Sequence, residues 1–571
     1  MIALRYHDQT KHHFNRFARA LGYLDWATQP DPFRRYPGAP VIELPRVEVP
    51  GTVPYEALFD GSVEPVPVSE RSIGGFLRCS MGLSAWKQYG ASRWALRVNP
   101  SSGNLHPTET YVVRQGRVYH YAPREHALEE RCIFDDGREA TVFLVALTSI
   151  HWREAWKYGE RAFRYCQHDA GHAIGALRLA AAMLGWRLAL LPRWSDAQLS
   201  ALLGLDRDLD YPGAEREEPE CLAIVTTDDP ARWLERDPSL LAEAAARGSW
   251  SGTANRLSAN HTDWPAIDEI AQATRYPGQP LCDGAIVRGA TVHGSTVQAG
   301  RSVAPSHVGT FGRTLAPSHD RTIAPRKAAR SVVLSRRSAL AFDGRGVLER
   351  AAFFSMLQRL RPPAPPWDAI DWPPQVHLVL FVHRVEGLVP GVYAYLRDDA
   401  TRAEWQAAMR PEFLWEPVNQ NDPNAPNDPN APNAPNGPNG PNDLFLLVPI
   451  DCRRIANRLS CDQEIAEDGF FSLAMVARLE ASLRERGESF YRRLFWECGL
   501  VGQVLYLEAE AAGARATGIG CFYDDPVHEM LGLTGHAWQT LYHFSMGMPI
   551  EDTRLTTAPG YPWEATKATE T

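Results

Sequence analysis

The chain contains one stretch twice, and that constrains its fold more than any other feature. Residues 169–206, DAGHAIGALRLAAAMLGWRLALLPRWSDAQLSALLGLD, align without a gap at an offset of 328 on residues 497–534, ECGLVGQVLYLEAEAAGARATGIGCFYDDPVHEMLGLT. Gly171 meets Gly499, Leu177 meets Leu505, Gly185 meets Gly513 and Asp196 meets Asp524. LeuGlyLeu at 203–205 meets the same tripeptide at 531–533, and PheArg at 163–164 falls on TyrArg at 491–492. Each copy reads as a long apolar helix, a glycine turn, a short strand and a second, shorter helix. Chance similarity between two helices is common; a shared four-part frame without a gap implies duplication.

Beyond that frame the correspondence continues with gaps. TYVVRQGRVYHYAP (110–123) and HLVLFVHRVEGLVPGVYAYL (377–396) each read as strand, turn and strand, and VFLVALTSI (142–150) resembles LFLLVPI (444–450) as a buried strand. The second copy also carries NQNDPNAPNDPNAPNAPNGPNGPND (419–443), too rich in Pro and Asn to form helix or sheet; it is expected to be a disordered surface insert. The resulting division is an N-terminal extension (1–50), a first domain (51–250), a linker (251–330) whose stretch 284–330 is Gly-, Ser- and Thr-rich, a second domain (331–560) and a tail (561–571).

At 571 residues the chain is too long for one ordinary domain. A net charge of −9 argues against a nucleic-acid partner. No apolar run approaches the ~18 residues of a membrane span, so no membrane partner is expected either. Nine scattered cysteines, with no CxxC pair, fit reduced thiols in a cytoplasmic protein rather than a disulfide frame or a zinc site. No metal is expected: His168 and His172 stand i,i+4, but no third ligand lies near them.

The two halves have not kept the same motifs. Only the first has the loop NPSSGN (99–104), whose Ser101, Ser102 and Asn104 suit a polar, planar ligand, although an ordinary turn has the same composition. Only the second has Arg336, Arg337 and Ser338, read as a basic-serine cluster entering a helix and suited to a phosphate. The second also has Gly518-Ile519-Gly520, which lets backbone amides approach a flat ring, where the first has Leu190-Leu191-Pro192. A ligand bound between the halves would use all three elements in one composite site, and the mirror-image site would lack them all.

The segments YHDQTKHHF, NPSSGNLHPTETYVV, KYGERAFRY (157–165), RRSALAF (336–342), ATGIGCFYDD (516–525) and EDTRL (551–555) together resemble the FMN-dependent nitroreductase-like flavoproteins, in particular the SagB-type azoline (thiazole/oxazole peptide) dehydrogenase branch. The resemblance implies an α+β fold: two tandem domains, each a central antiparallel sheet flanked by helices, forming a pseudo-dimer within one chain. It implies FMN, with Arg336, Arg337, Ser338 and Arg554 at its phosphate and ribityl groups. Pro100, Ser101, Ser102 and Asn104 would lie at the isoalloxazine edge, and Gly518, Ile519 and Gly520 on the N5 side. Lys157 and Tyr158 would be the proton-transfer pair, the lysine tuned by burial or by Arg161. The implied activity is hydride transfer through flavin N5, either dehydrogenation of a peptide heterocycle or reduction of a nitro compound or quinone, with NAD(P)H or oxygen as redox partner and a small molecule or peptide as substrate. The alternative reading is a catalytically decayed flavoprotein that acts as a binding or scaffold protein.

Overall fold

The computed structural model describes residues 1–46, 52–135, 142–279, 327–418 and 443–564. Apart from 280–326, which lie outside them, the chain forms one compact unit holding both halves of the repeat. Two helices form its axis: α1, Ala162–Met183, and α2, Phe490–Ala511. Both span 22 residues, and their first and last residues differ by the same offset of 328. Each is buried nearly all round, its polar side chains included, as befits a helix at the centre of the fold. They cross at Gly171 and Gly499, where a Cβ on either would stand 2.3 Å from a backbone carbonyl oxygen of the other helix.

The interface is isologous, as a duplicated dimer requires. Arg164 of α1 pairs with Asp524 of the second half at 2.8 Å, and Arg492 of α2 pairs with Asp196 of the first at 2.7 Å. These are the same two positions, 328 apart, exchanged across the pseudo-two-fold. All four side chains are buried. Asp524 also pairs with Arg161 at 2.9 Å, so it is the removal of Arg492 that would leave a buried carboxylate, Asp196, without an ion-pair partner among the described residues, at a cost of roughly 3–5 kcal/mol.

Each half builds an antiparallel sheet against its long helix. In the first, the path runs Val41–Glu43, Ala127–Ile133, Arg117–Ala122, Thr108–Arg114, Val142–Ser149, Glu218–Thr226, Arg187–Leu190. In the second it runs Glu416–Pro417, Leu444–Pro449, Gly391–Tyr395, Val376–Val382, Phe471–Arg478, Trp538–Gly547, Arg515–Ile519. The topology corrects one correspondence read from sequence. Val142–Ser149 is a central strand, whereas Leu444–Pro449 pairs with the two-residue edge strand and matches Ala127–Ile133. The true counterpart of Val142–Ser149 is Phe471–Arg478, so the ungapped offset of 328 already begins there. Both central strands are apolar on both faces, and hydrophobic similarity alone could not rank the candidates.

The two halves are also laced together by their ends. Thr556–Pro559, at the end of the second half, adds an antiparallel strand to the hairpin Leu83–Tyr89/Ser92–Arg97 of the first. The first helix, Ile2–Gln9, packs on the second half, with the Ala3 N–H donating to Glu488 at 2.7 Å and His7 meeting Tyr491 and Gln539. The N-terminal extension is therefore part of the core, as is buried Tyr561 of the tail. Within the predicted linker, Pro265–Ala273 is a helix that buries Ile267 and Ile270, and across its predicted end Ala329–Ser335 is a second that buries Val332 and Val333. Of the predicted insert, 419–442 lie outside the described residues, while Asp443 is buried and pairs with Arg361. Among the described residues no helix is long and apolar enough to cross a membrane.

Candidate functional site

Between the halves lies a cavity of about 430 Å³, within the ~300–1,000 Å³ range of small-molecule and cofactor pockets. The loop 99–104 forms one wall, the strand ending in Gly518-Ile519-Gly520 the opposite one, and the segment from Arg336 to Leu340 closes an end. Ten of the sequence-predicted site residues are thereby brought together: Pro100, Ser101, Ser102, Asn104, Arg336, Arg337, Ser338 and the GlyIleGly turn, the loop coming from the first half and the rest from the second.

Their roles differ in part from the expectation. The loop adopts left-handed backbone at Gly103, Asn104 and His106, and its polar side chains hold that shape. Ser101 Oγ accepts the His106 N–H at 2.8 Å, and the Asn104 amide donates to the Ala95 carbonyl at 2.9 Å. Ser102 gives its N–H (3.0 and 3.1 Å) and its hydroxyl (3.1 Å) to the carboxylate of Asp169. A polar group that sequence reasoning passed over is the side-chain amide of Asn99, a residue lining the cavity, which is buried and has no partner on either atom. The glycines likewise make room for tyrosines: a Cβ on Gly518 would stand 1.9 Å from the Tyr542 hydroxyl, and one on Gly520 1.9 Å from Cε1 of Tyr165. The Gly518 N–H donates to the Tyr506 hydroxyl at 2.9 Å, which also meets Ser338 Oγ at 3.0 Å.

One end of the cavity is cationic. Arg336, Arg337, Arg515 and Lys87 all line it, and among the described residues neither Arg336 nor Arg337 has a carboxylate within ion-pair distance. Both reach across to the first half, Arg336 donating to the Arg97 carbonyl at 3.0 Å and Arg337 to the Ser84 carbonyl at 2.9 Å. Burial, then the neighbouring Arg336, pulls Arg337 down to about 10, and burial with Arg337 and Arg515 lowers Lys87. Mutual repulsion in a partly dehydrated site favours an anion there. The RRS cluster does not enter a helix as expected. Arg336 caps the end of Ala329–Ser335, and Ser338 then runs beside Ala516 at the edge of the sheet, an extended path that points the arginines inward. Arg554 is not part of this end: its side chain is 70% exposed and pairs with Asp552 at 2.7 Å. Arg515, from the GlyIleGly strand, lines the cavity instead.

Lys157 and Tyr158 end the helix His151–Tyr158 beneath the loop. Tyr158 lines the cavity, and a Cβ on Gly103 would stand 2.6 Å from its hydroxyl and 3.1 Å from Lys157 Nζ, so both groups converge on the loop tip. Arg161, expected beside the lysine, instead pairs with Asp524, 2.9 Å away. His168 stacks on Tyr542 (centroids 4.1 Å apart), and His172 meets the same tyrosine's hydroxyl at 3.3 Å.

Behind the loop, Asp169 faces Glu154, both buried, and neither Glu154 oxygen has a hydrogen-bond donor in the structure. Burial raises both carboxyls well above the ordinary range, and for Glu154 the charge of Asp169 adds to it. Two such groups hold one proton between them. Ser102 stabilises the charge on Asp169, so Glu154 carries the proton. Glu154 is protonated in the folded chain above its unfolded value of about 4.3, so the stability it contributes is complete at lower pH and drains away as pH rises from there. Glu154→Gln donates permanently and removes that loss. We expect its urea midpoint to gain on wild type between pH 5 and 8, by up to about 1.4 kcal/mol per pH unit; parallel pH profiles for the two proteins would refute the shared proton.

The nitroreductase family model matches residues 90–214 and 374–548, more than half of the chain and one segment in each half. The chain belongs to the nitroreductase family. A crystal structure from Anabaena variabilis described as a nitroreductase is similar over 96% of this chain and 99% of its own, with 21% identity and a TM-score of 0.62, a likeness of fold. A Ralstonia eutropha structure described in the same way covers 36% of this chain and 96% of its own at 16% identity and a TM-score of 0.26. The E. coli microcin synthetase McbBCD complex with truncated pro-MccB17 covers 42% of this chain and 76% of its own at 16% and 0.27. Superpositions that loose carry no argument. No curated protein matches at a significant level.

A nitroreductase fold duplicated within one chain has two pseudo-symmetric positions for a site, and here the second is closed. Leu190-Leu191-Pro192 replaces the GlyIleGly turn, Arg493 replaces Tyr165 and Trp496 replaces His168, leaving about 20 Å³, room for about one water. The counterpart of Asp169, Glu497, accepts the Gln375 and Val376 N–H groups at 3.0 and 3.1 Å and is neutralised by Arg397. Ser482 stands where the first half has Glu154.

Proposed function

We propose that this chain is an FMN-dependent oxidoreductase holding one flavin between its halves, with peptide azoline dehydrogenation as its leading activity and nitro or quinone reduction as the second. The observation that carries the flavin reading is the cavity between the halves: cationic at one end and lined by a polar loop and a glycine strand, with the buried, unpartnered Asn99 among its lining residues. These residues fit FMN, with Arg336, Arg337, Arg515 and Lys87 at the phosphate and Asn99, the Ser102 loop and the Gly518–Gly520 strand around the ring. FMN supplies a two-electron acceptor at N5 when bound.

The chain's own residues do the rest. Lys157 and Tyr158 place an amine and a phenol at the loop tip to take a proton from the substrate carbon. Asp169 and Glu154 hold a proton behind the loop. Leu340 and Ile550, both exposed at the cavity mouth, offer an apolar approach for a bulky substrate. The Lys-Tyr pair favours azoline dehydrogenation, since it answers the proton removal that heterocycle oxidation requires.

Flavin released by denaturation should be about one per chain. A ratio of two would contradict the closed second position, and colourless protein that takes up no added FMN would favour a binding role. With an azoline-containing peptide, Lys157→Ala should lower kcat by about 10²–10⁴-fold while leaving flavin content unchanged. Unaltered turnover would move the activity away from dehydrogenation.

A further inference from the structure

Cys461 and Cys521 are far apart in sequence, yet their sulfurs stand 2.8 Å apart, closer than two sulfurs in ordinary contact and approaching the ~2.05 Å of a disulfide. Cys521 directly follows Gly520 and lines the cavity. Cys461 sits in a turn where it and Asp462 both adopt left-handed backbone (φ +57° and +56°), a conformation that residues other than glycine rarely take. The two segments are clamped in register. Tyr523 N–H donates to the Leu459 carbonyl at 2.9 Å, and the Gln463 amide spans the Ser460 and Cys521 carbonyls at 2.7 and 3.0 Å.

We propose that Cys461 and Cys521 form a redox-active dithiol/disulfide pair in the wall of the pocket, able to exchange two electrons with the bound flavin. The exchange rests on the flavin reading; the formation of the disulfide does not. Either sulfur could hold the shared proton on geometry alone, but the charges decide it. The hydrogen bond from Cys461, then His12 Nδ1 at 3.8 Å and Arg161, pull Cys521 down to about 5, while the same bond pushes Cys461 up. Cys521 is therefore the thiolate and Cys461 the thiol, the arrangement of a reactive pair. In the oxidation, the Cys461 S–H bond breaks and a bond forms between the sulfurs. The two electrons released and the proton from Cys461 go to oxidised flavin, giving its anionic two-electron-reduced form; the reverse reaction reopens the disulfide. His12, Cys461 and Cys521 could also be read as a three-ligand metal site, since their ligand atoms lie within 4.8 Å of one another. Two thiolates on one tetrahedral zinc stand about 3.8 Å apart, wider than this pair, and the Arg161 guanidinium beside Cys521 disfavours a cation.

The test has two arms. First, flavin-free chain is treated with diamide, alkylated and digested. The expected result is a single cross-linked peptide pair joining Cys461 to Cys521, reversed by dithiothreitol and absent in Cys461→Ser and Cys521→Ser, each checked for a wild-type circular dichroism spectrum. No such cross-link, or one zinc per chain that protects both thiols, would overturn the proposal. Second, the flavin-loaded, diamide-oxidised chain is titrated anaerobically with dithionite. Four electrons per chain are expected for wild type and two for Cys461→Ser. Two electrons for both proteins would overturn the exchange with flavin while leaving the disulfide, and failure to bind flavin would count against the proposed function alone.

Discussion

Replacing Gly171 by alanine is expected to destabilise the chain by more than about 2 kcal/mol, although helix propensity predicts a gain of up to about 1 kcal/mol for the same change in a helix interior. The added Cβ would stand 2.3 Å from the Trp496 carbonyl oxygen and 2.6 Å from its Cα, backbone atoms that cannot move without shifting α2 as a whole. Overpacking of a rigid core costs about 1–3 kcal/mol and more when backbone is the obstacle. Gly175→Ala, one turn along the same helix, is the control. Its Cβ meets side-chain atoms only, Gln503 Cβ and Cγ at 3.0 Å and Leu500 Cδ2 at 3.4 Å, a milder contact that a shift of a few tenths of an ångström relieves. Urea unfolding of the two variants should separate them clearly, with Gly175→Ala within about 1 kcal/mol of wild type. Equal midpoints would show that α1 and α2 do not cross at these glycines. Because the cavity is built from both halves, Gly171→Ala should also lose ligand.

Arg337→Ala is expected to weaken FMN binding about ten- to a hundred-fold, the loss of a charge-assisted contact worth roughly 1.5–3 kcal/mol. Arg337 is one of four cations at that end of the cavity and is destabilised there by Arg336, so an anion relieves a repulsion as well as making a bond. Arg554→Ala should be silent, since its side chain is turned to Asp552 outside the cavity, and so should Arg71→Ala, exposed on the helix Glu70–Ser80. Equilibrium titration with FMN, read by quenching of flavin fluorescence, gives the three constants. Tight binding by Arg337→Ala together with weak binding by Arg554→Ala would put the phosphate at the C-terminal segment alone, away from the Arg336–Ser338 cluster that the family resemblance placed there beside Arg554.

The duplication, its two long helices and the asymmetry of the halves were legible in sequence because each is written locally. Helical periodicity and a glycine turn are short-range patterns, and two copies at a constant offset confirm each other. The composite nature of the site could also be reasoned, since each half had lost what the other kept. The chemistry within the site could not. Asn99, Asp169 with Glu154, and Cys461 with Cys521 are unremarkable in their own segments; they acquire meaning only when the sheets and the crossing of α1 and α2 bring distant positions within a few ångströms. Arg554 shows the converse: a motif in the right order whose side chain the tertiary structure turns to a nearer carboxylate. Sequence by itself determined the helices, the repeat and the division of motifs between the halves, because these depend on neighbours along the chain. Which carboxyls share a proton, which sulfurs meet, which of two pseudo-symmetric cavities stays open and which strand crosses to the other half were decided only by packing, where burial and the absence of a nearby counter-charge set each group's state.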